Sequence, residues 1–343
     1  MRLLIVTQAV DLDDPVLGFF HRWIEEFATR FERIHVICLF EGRHRLPGNV
    51  FVHSLGKDKG ASRIEYVWNF YKFIWTLRSE YEKVFVHMNQ EYVLLGGKSW
   101  RFLRKPVYLW RNHYAGSLLT DLAAILCTNV FCTSRFSYTA KYKKTRLMPI
   151  GIDTEAFAPG NVERKDSILS LGRIAPSKRL DLLIEAIALL KKEGIEIHAD
   201  VYGDALARDA AYFQSLQNTV RERGLSELIR FRPGVPNYET PRVYSSYSIF
   251  VNASGSGMYD KTIFEAAACA ALPLAASRDW AELTDQRLFF KESDARDLAE
   301  KIETLLKLPS QEKNSLREKV RSITEAHSLK VLAAELVRVM QVR

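Results

Sequence analysis

Short apolar runs alternate along this chain with segments of helical period. In the first half RLLIVT (2–7), IHVICLF (34–40), KVFVHM (83–88), PVYLW (106–110) and NVFCTS (129–134) are apolar almost without interruption, the pattern of strands covered on both faces. Between them apolar residues recur every three or four positions, which predicts helices beginning near Val16, Arg63, Glu91, Ser117 and Arg135. The second half repeats the habit with SILSLGRI (167–174), HADVYGD (198–204), IRFRPGVP (229–236), SIFVNAS (248–254) and LPLAAS (272–277). A last amphipathic stretch, around His327 to Met340, has no strand after it. Alternation of this kind predicts two doubly wound α/β domains with mainly parallel sheets. LMPIGIDTEAFAPG, residues 147–160, carries two prolines and two glycines and fits neither period. The expected organisation is a domain over 1–147, a linker at 148–160, a second domain over 161–327, and a C-terminal helix over 328–343 packing back on the first.

Composition narrows the class. The 343 residues are 47% hydrophobic and 26% charged, enough for two cores, and no low-complexity tract argues for disorder. No stretch approaches the roughly 18 uncharged apolar residues that a membrane crossing needs. The opening MRLLIVTQAVDLDDP turns acidic after a short apolar run and reads as a first strand, with no secretion signal. Cys38, Cys127, Cys132 and Cys269 lack metal-ligand spacing and read as reduced core residues, so the expected location is cytoplasmic.

The net charge of +8 is uneven. Residues 1–150 hold 22 Lys and Arg against 13 Asp and Glu, leaving 27 against 28 for the remainder. Such a basic half suits an anionic membrane surface or a phosphorylated partner. Nucleic acid is disfavoured, because no zinc-finger, RNA-recognition or helix-turn-helix pattern accompanies the charge.

One turn carries unexpected cations. In LSLGRIAPSKRLDLLIEAI (169–187) a strand passes into a helix through Gly172, Arg173, Pro176, Lys178 and Arg179. A helix N-terminus is already positive, so cations there repel it unless an anion joins them. Arg173 and Lys178 suit a pyrophosphate, one as a planar fork and the other as a point charge; a solvated loop fits the spacing as well. A second stretch, NASGSGMYDKTIFEAAACAALP (252–273), runs from a strand through Gly255 and Gly257 to Asp260, a candidate N-cap, and into a helix. Its free amides suit a phosphate or a sugar hydroxyl, and Glu265 is placed either to accept a ribose or simply to meet the helix dipole.

Other features are ambiguous on their own. His113 lies just past a strand end, with His21 and His87 as weaker candidates. Asp11–Leu12–Asp13 resembles a metal-binding Asp-x-Asp only formally, since it follows the first strand of a domain. In RIEYVWNFYKFIWTLRS (63–79) the polar residues Glu65, Asn69, Lys72, Thr76 and Ser79 form one narrow stripe, leaving a helix apolar over most of its circumference. That helix is either wedged inside the protein or dips into a membrane interface. KSWRFLRKP (98–106) adds basic and aromatic residues to the same domain.

MPIGIDTEAFAP, LGRIAPSKRLDLLIEAI, VYGD and DKTIFEAAAC, in this order and spacing, resemble bacterial-type retaining glycosyltransferases of family 4. That resemblance implies the GT-B fold, two Rossmann-like domains facing a cleft, and an enzyme. It implies transfer of a sugar from a UDP- or GDP-sugar to a hydroxyl of a glycan or lipid-linked acceptor with retention, in cell-surface polysaccharide or glycolipid synthesis, with no metal and no resident cofactor. His113, Arg173 and Lys178 would be catalytic. The donor site would comprise Gly18, Gly172, Arg173, Lys178, Gly203, Val235, Ser256, Gly257, Met258, Tyr259, Asp260, Lys261, Thr262 and Glu265, with Gly18 as a flexible glycine approaching the diphosphate and Glu265 on the ribose. An anionic membrane on the inner face of the cell is the further expected partner. Two departures stand out: Gly257 occupies the place of the first of two glutamates with seven residues between them, and CAALP, with Ala270, replaces the usual CG-P. The alternatives are a sugar-nucleotide epimerase or phosphorylase on the same architecture, or a catalytically silent nucleotide-sugar binder.

Overall fold

The computed structural model describes residues 1–14, 16–161, 164–257 and 260–341. The chain forms two compact units, one from residues 1–151 with the helix that begins at Leu329, the other from Ile152–Ser328.

The first unit runs β1 (Arg2–Val10), α1 (Gly18–Ala28), β2 (Arg33–Glu41), β3 (Val50–Ser54), α2 (Arg63–Thr76), β4 (Lys83–His87), α3 (Gln90–Phe102), β5 (Val107–Trp110), α4 (Leu118–Leu126), β6 (Asn129–Cys132) and β7 (Thr145–Leu147). Its seven strands lie in the order β3-β2-β1-β4-β5-β6-β7, every pair parallel. Alternation along β1 sends Leu3 and Ile5 to one face and Leu4 and Val6 to the other. Each face has its own helices, which is why these strands read as unbroken apolar runs rather than alternating ones.

The second unit continues with β8 (Lys165–Leu171), α5 (Leu180–Lys192), β9 (Ala199–Tyr202), α6 (Ala210–Glu222), β10 (Ile229–Arg232), α7 (Thr240–Ser245), β11 (Tyr247–Asn252), α8 (Lys261–Ala268), β12 (Leu272–Ala275), α9 (Arg278–Leu283), α10 (Ala295–Lys307) and α11 (Ser310–Glu325). The sheet order is β10-β9-β8-β11-β12, again parallel. The strand order reverses between β1 and β4 in one sheet and between β8 and β11 in the other. Loops diverge at such a switch point and leave a crevice at the carboxyl ends of the strands.

The last helix, α12 (Leu329–Gln341), returns to the first unit. Leu332, Leu336 and Met340 join Phe20, Trp23 and Phe27 of α1 in one buried cluster, and the Trp23 indole donates to the carbonyl of Gly151 at 2.9 Å. All four cysteines are buried and free.

Three local expectations fail. The helix predicted from Arg135 is only a 3-10 turn at Tyr138–Lys141, because the segment lacks an apolar stripe long enough to hold a helix on the sheet. Two edge strands escape the sequence pattern: β3 is half exposed, and β7 has three residues. Nor is α2 wedged inside the protein. Asn69 turns inward to donate to the carbonyl of Leu55 at 3.0 Å, only Phe70 and Ile74 are buried, and much of the apolar circumference is exposed.

The departure at Ala270 has a backbone consequence. After α8 the amide of Ala271 bonds to the carbonyl of Ala266 at 3.0 Å and that of Ala270 to Ala267 at 2.9 Å, closing a Schellman turn with Ala270 at φ 58°. That conformation suits glycine and strains a residue with a Cβ. Ala270→Gly should therefore stabilise the protein by about 1 kcal/mol, raising Tm in calorimetry by roughly 2–4 °C. An unchanged or lower Tm would show that the Ala270 methyl packs well enough to offset the strain.

Candidate functional site

In the second unit the switch point gathers the residues singled out from the sequence. Gly172 follows β8 at φ 142° and Gly203 follows β9 at φ 151°. Their backbones nearly touch, since a Cβ built on Gly203 would stand 1.9 Å from the Gly172 carbonyl oxygen. Gly203 is thus a packing glycine that fixes the turn carrying Arg173. Val235 lies past the end of β10, before the 3-10 turn Asn237–Glu239.

Arg173 and Lys178 share a narrow crevice with Leu171, Gly172, Asn252 and Ser254. Its volume is about 10 Å³, room for roughly one water. The Arg173 Nε is buried and makes no hydrogen bond among the described residues. Lys178 behaves differently: its ammonium pairs with Asp260, the N-cap of α8. Asp260 also accepts from Asn252 Nδ2 at 2.8 Å and from the Thr262 amide at 3.3 Å. Burial raises its carboxyl, but Lys178, Asn252 and Thr262 outweigh that and hold it at about 2. Asp260 therefore does more than cap a helix. It binds the β8 loop to α8 across 82 residues of sequence.

One turn further along α8, Glu265 is 4% exposed. Its Oε2 accepts from the Tyr244 hydroxyl at 3.2 Å, and its Oε1 lies 3.7 Å from Lys261 Nζ. Burial raises the Glu265 carboxyl, with Lys261 opposing and Asp260 reinforcing the shift. Burial likewise lowers the Lys261 ammonium and drives the Tyr244 phenol well above its ordinary range. The Thr262 hydroxyl accepts from Asn252 Nδ2 at 3.1 Å, which leaves it a supporting role. Ser256 accepts the Arg278 amide at 3.0 Å, and Gly257 has φ 90°. Met258 and Tyr259 lie outside the described residues. Tyr244, Asn252 and Glu292 were missed in the sequence. Glu292, whose carboxylate lies within 2.4 Å of where a Cβ on Gly255 would be, offered no local signal at all.

The first unit has its own pocket, a depression of about 460 Å³ at the carboxyl ends of β4 and β5. Met88, Asn89 and Gln90 form one wall, and Arg111, Asn112, His113 and Gly116 the other. The Ala115 amide donates to His113 Nδ1 at 2.9 Å. The same nitrogen lies 3.2 Å from the Ala115 carbonyl oxygen, so the backbone of Ala115 fixes the ring through Nδ1. Arg111 donates from Nε to Gln90 at 2.8 Å and from Nη2 to the Ala115 carbonyl at 3.2 Å, tying the loop to the start of α3. Asn112 accepts from the Ser137 hydroxyl at 2.9 Å and the Thr133 amide at 3.3 Å. Met88 stands at φ 67°, a strained conformation at the pocket wall.

Other expectations are corrected. Gly18 is no flexible loop residue: it is the buried first residue of α1, and a Cβ there would lie 3.0 Å from the Leu12 carbonyl oxygen. His21 and His87 are core residues. His21 Nε2 accepts the Arg45 amide at 3.0 Å, and His87 stacks on Phe20 with ring centroids 3.8 Å apart. Asp13 is engaged by the Arg43 guanidinium at 2.6 and 2.8 Å.

Residues 151–323, just over half of the chain, match the family model of glycosyl transferases group 1. The chain belongs to that family. Among curated proteins, the chain is similar to a D-inositol 3-phosphate glycosyltransferase of Frankia alni, 28% identical over 154 residues, which are 41% of the chain and 38% of the relative. It is also similar to mannosylfructose-phosphate synthase of Agrobacterium fabrum, 27% identical, with 38% of the chain and 32% of the relative aligned. The chain thus spans only about a third of the length of these relatives. Among solved structures, Anabaena Alr3699/HepE in complex with UDP-glucose superimposes with a TM-score of 0.79 at 17% identity, over 99% of each chain. Sucrose-phosphate synthase of Thermosynechococcus elongatus gives 0.78 at 15% identity, over 99% of this chain and 98% of that one. The fold of the chain is GT-B, with two Rossmann-like units.

Proposed function

We propose that the protein is a retaining family 4 enzyme that transfers a sugar from a nucleoside diphosphate donor, a UDP- or GDP-sugar, to a hydroxyl of a glycan or lipid-linked acceptor. The observation that carries this reading is the pairing of a buried Arg173 Nε lacking a hydrogen-bond partner among the described residues with Lys178, at the switch point beside the α8 N-cap. A diphosphate supplies the acceptors both cations require. Lys178 would turn from Asp260 to the phosphate, opening the crevice.

Chemistry then needs little covalent help. The bond from the anomeric carbon to the β-phosphate oxygen breaks, and Arg173, Lys178 and the amides at the start of α8 stabilise the departing diphosphate. The acceptor hydroxyl attacks from the same face, the leaving phosphate oxygen takes its proton, and configuration is retained. Glu265, which already accepts from the Tyr244 hydroxyl and whose charge burial disfavours, takes the ribose hydroxyls as further donors. His113, its ring fixed through Nδ1 by the Ala115 backbone, hydrogen-bonds a sugar hydroxyl through Nε2. Gly257 in place of a glutamate leaves recognition of the sugar to neighbouring backbone amides. The role assigned is cell-surface polysaccharide or glycolipid synthesis on the cytoplasmic side, without a metal.

The test is thermal shift with a panel of UDP- and GDP-sugars. A donor present at 100 times its Kd should stabilise by about 2.7 kcal/mol, a rise of several degrees. Labelled donor should then be transferred, or slowly hydrolysed without acceptor. A panel in which no nucleotide sugar moves Tm would reject the reading, and binding without turnover would favour a silent binder.

A further inference from the structure

The outer face of the helical layer α2–α3–α4 is apolar where a soluble helix is ordinarily polar. On α4, Leu118, Leu122 and Ile125 recur at helical spacing on the solvent side, Leu118 being 72% and Ile125 66% exposed. Phe102, at the end of α3, is 77% exposed, and its ring lies 6.1 Å from that of Trp75 on α2. Trp68, two turns earlier on α2, is 73% exposed. The three helices form one layer. The Tyr71 hydroxyl of α2 donates to the Leu95 carbonyl of α3 at 2.9 Å, and Gly97 of α3 lies against Leu126 of α4. Isolated exposed leucines mean nothing, but exposed apolar side chains repeated over three helices of one layer mark a docking face.

Charge indicates what docks. Across α2, α4 and α3 with its following turn 103–105, six cations stand against three acids. Lys72, Lys98, Arg101 and Arg104 are exposed among the apolar side chains. Of the acids, Glu65 is held in the capping box with Ser62, and Asp121 is taken by Lys141, Tyr138 and Tyr142. A second copy of the chain would bring the same cations together across a twofold axis.

We infer that this face docks on an anionic phospholipid bilayer, with the rings and aliphatic chains at the acyl boundary and the cations at the headgroups. Ser117, which caps α4, also lines the His113 pocket, so that pocket opens at the end of the docked face. The inference stands on the surface itself, although it places there the lipid-linked acceptor of the reading above.

Vesicle flotation of the full chain tests it without reading transfer, so its failure would leave the transferase reading intact. The protein should float with vesicles containing phosphatidylglycerol, and binding should fall about tenfold with phosphatidylcholine alone or in high salt. Phe102→Ser with Leu118→Ser and Ile125→Ser should weaken binding at least about tenfold without lowering Tm, because these side chains are exposed. Lys98→Glu with Arg101→Glu should abolish the preference for anionic lipid. Wild-type protein that stays at the bottom, variants that float equally well, or a triple variant that only converts a dimer to a monomer in sedimentation would each overturn the inference.

Discussion

Arg173→Ala is expected to lower kcat/KM for sugar transfer by about 10²–10³-fold, the effect of deleting one preorganised donor to a developing oxyanion. The loss should fall mainly on kcat, because charge on the bridging phosphate oxygen grows only as the glycosidic bond breaks. Stability should scarcely change. The buried Nε makes no hydrogen bond among the described residues, so alanine removes an unsatisfied group rather than an interaction. Arg173→Lys should recover part of the activity, since it restores charge without the planar fork. Steady-state kinetics alongside a thermal melt decide the matter. Activity within threefold of wild type at unchanged Tm would remove Arg173 from the chemistry.

The largest expected effect on stability belongs to Gly203→Ala. The new methyl would stand 1.9 Å from the Gly172 carbonyl oxygen, at a φ of 151° that a residue with a Cβ rarely adopts. Neither backbone can yield easily, since the Gly172 amide is held by the Tyr202 carbonyl at 3.0 Å and the Gly203 amide by the Arg232 carbonyl at 3.1 Å. Strain and overpacking together should cost about 4 kcal/mol, lowering the Tm of the second unit by roughly 10 °C. Any folded protein that remains should bind donor weakly, because the Arg173 turn would be displaced. Calorimetry showing a change within 2 °C would mean that the two strand ends are softer than their hydrogen bonds imply.

The legible parts of this protein are those written in short-range pattern. Unbroken apolar runs such as VYLW and SIFVN mark strands covered on both faces, and β5 and β11 are buried throughout. The start of α2 near Arg63 was legible from its period, and the structure closes a capping box there between Ser62 and Glu65. What pattern missed lay at edges. β3 and β7 bury too little for a period to show, and the segment after Arg135 has no core to select a helix.

The site divides along the same line. Arg173, Lys178, Asp260 and Glu265 were visible as residues, because cations on a turn into a helix and an acid before another are local anomalies. Their present partners were not. Lys178 pairs with Asp260 82 positions away, Glu265 with a tyrosine on a different helix, and the Gly203 backbone with that of Gly172.

By itself, then, the sequence determined the alternating α/β pattern, the parallel sheets and the loops that carry chemistry, because periodicity and turn residues act over a few positions. Only tertiary structure decided that Asp260 holds Lys178, that Gly18 is buried against the Leu12 carbonyl, and that α4 turns its leucines to solvent. Each of those depends on which segments the reversal of strand order brings side by side, and that is a property of the closed sheet rather than of any window of the chain.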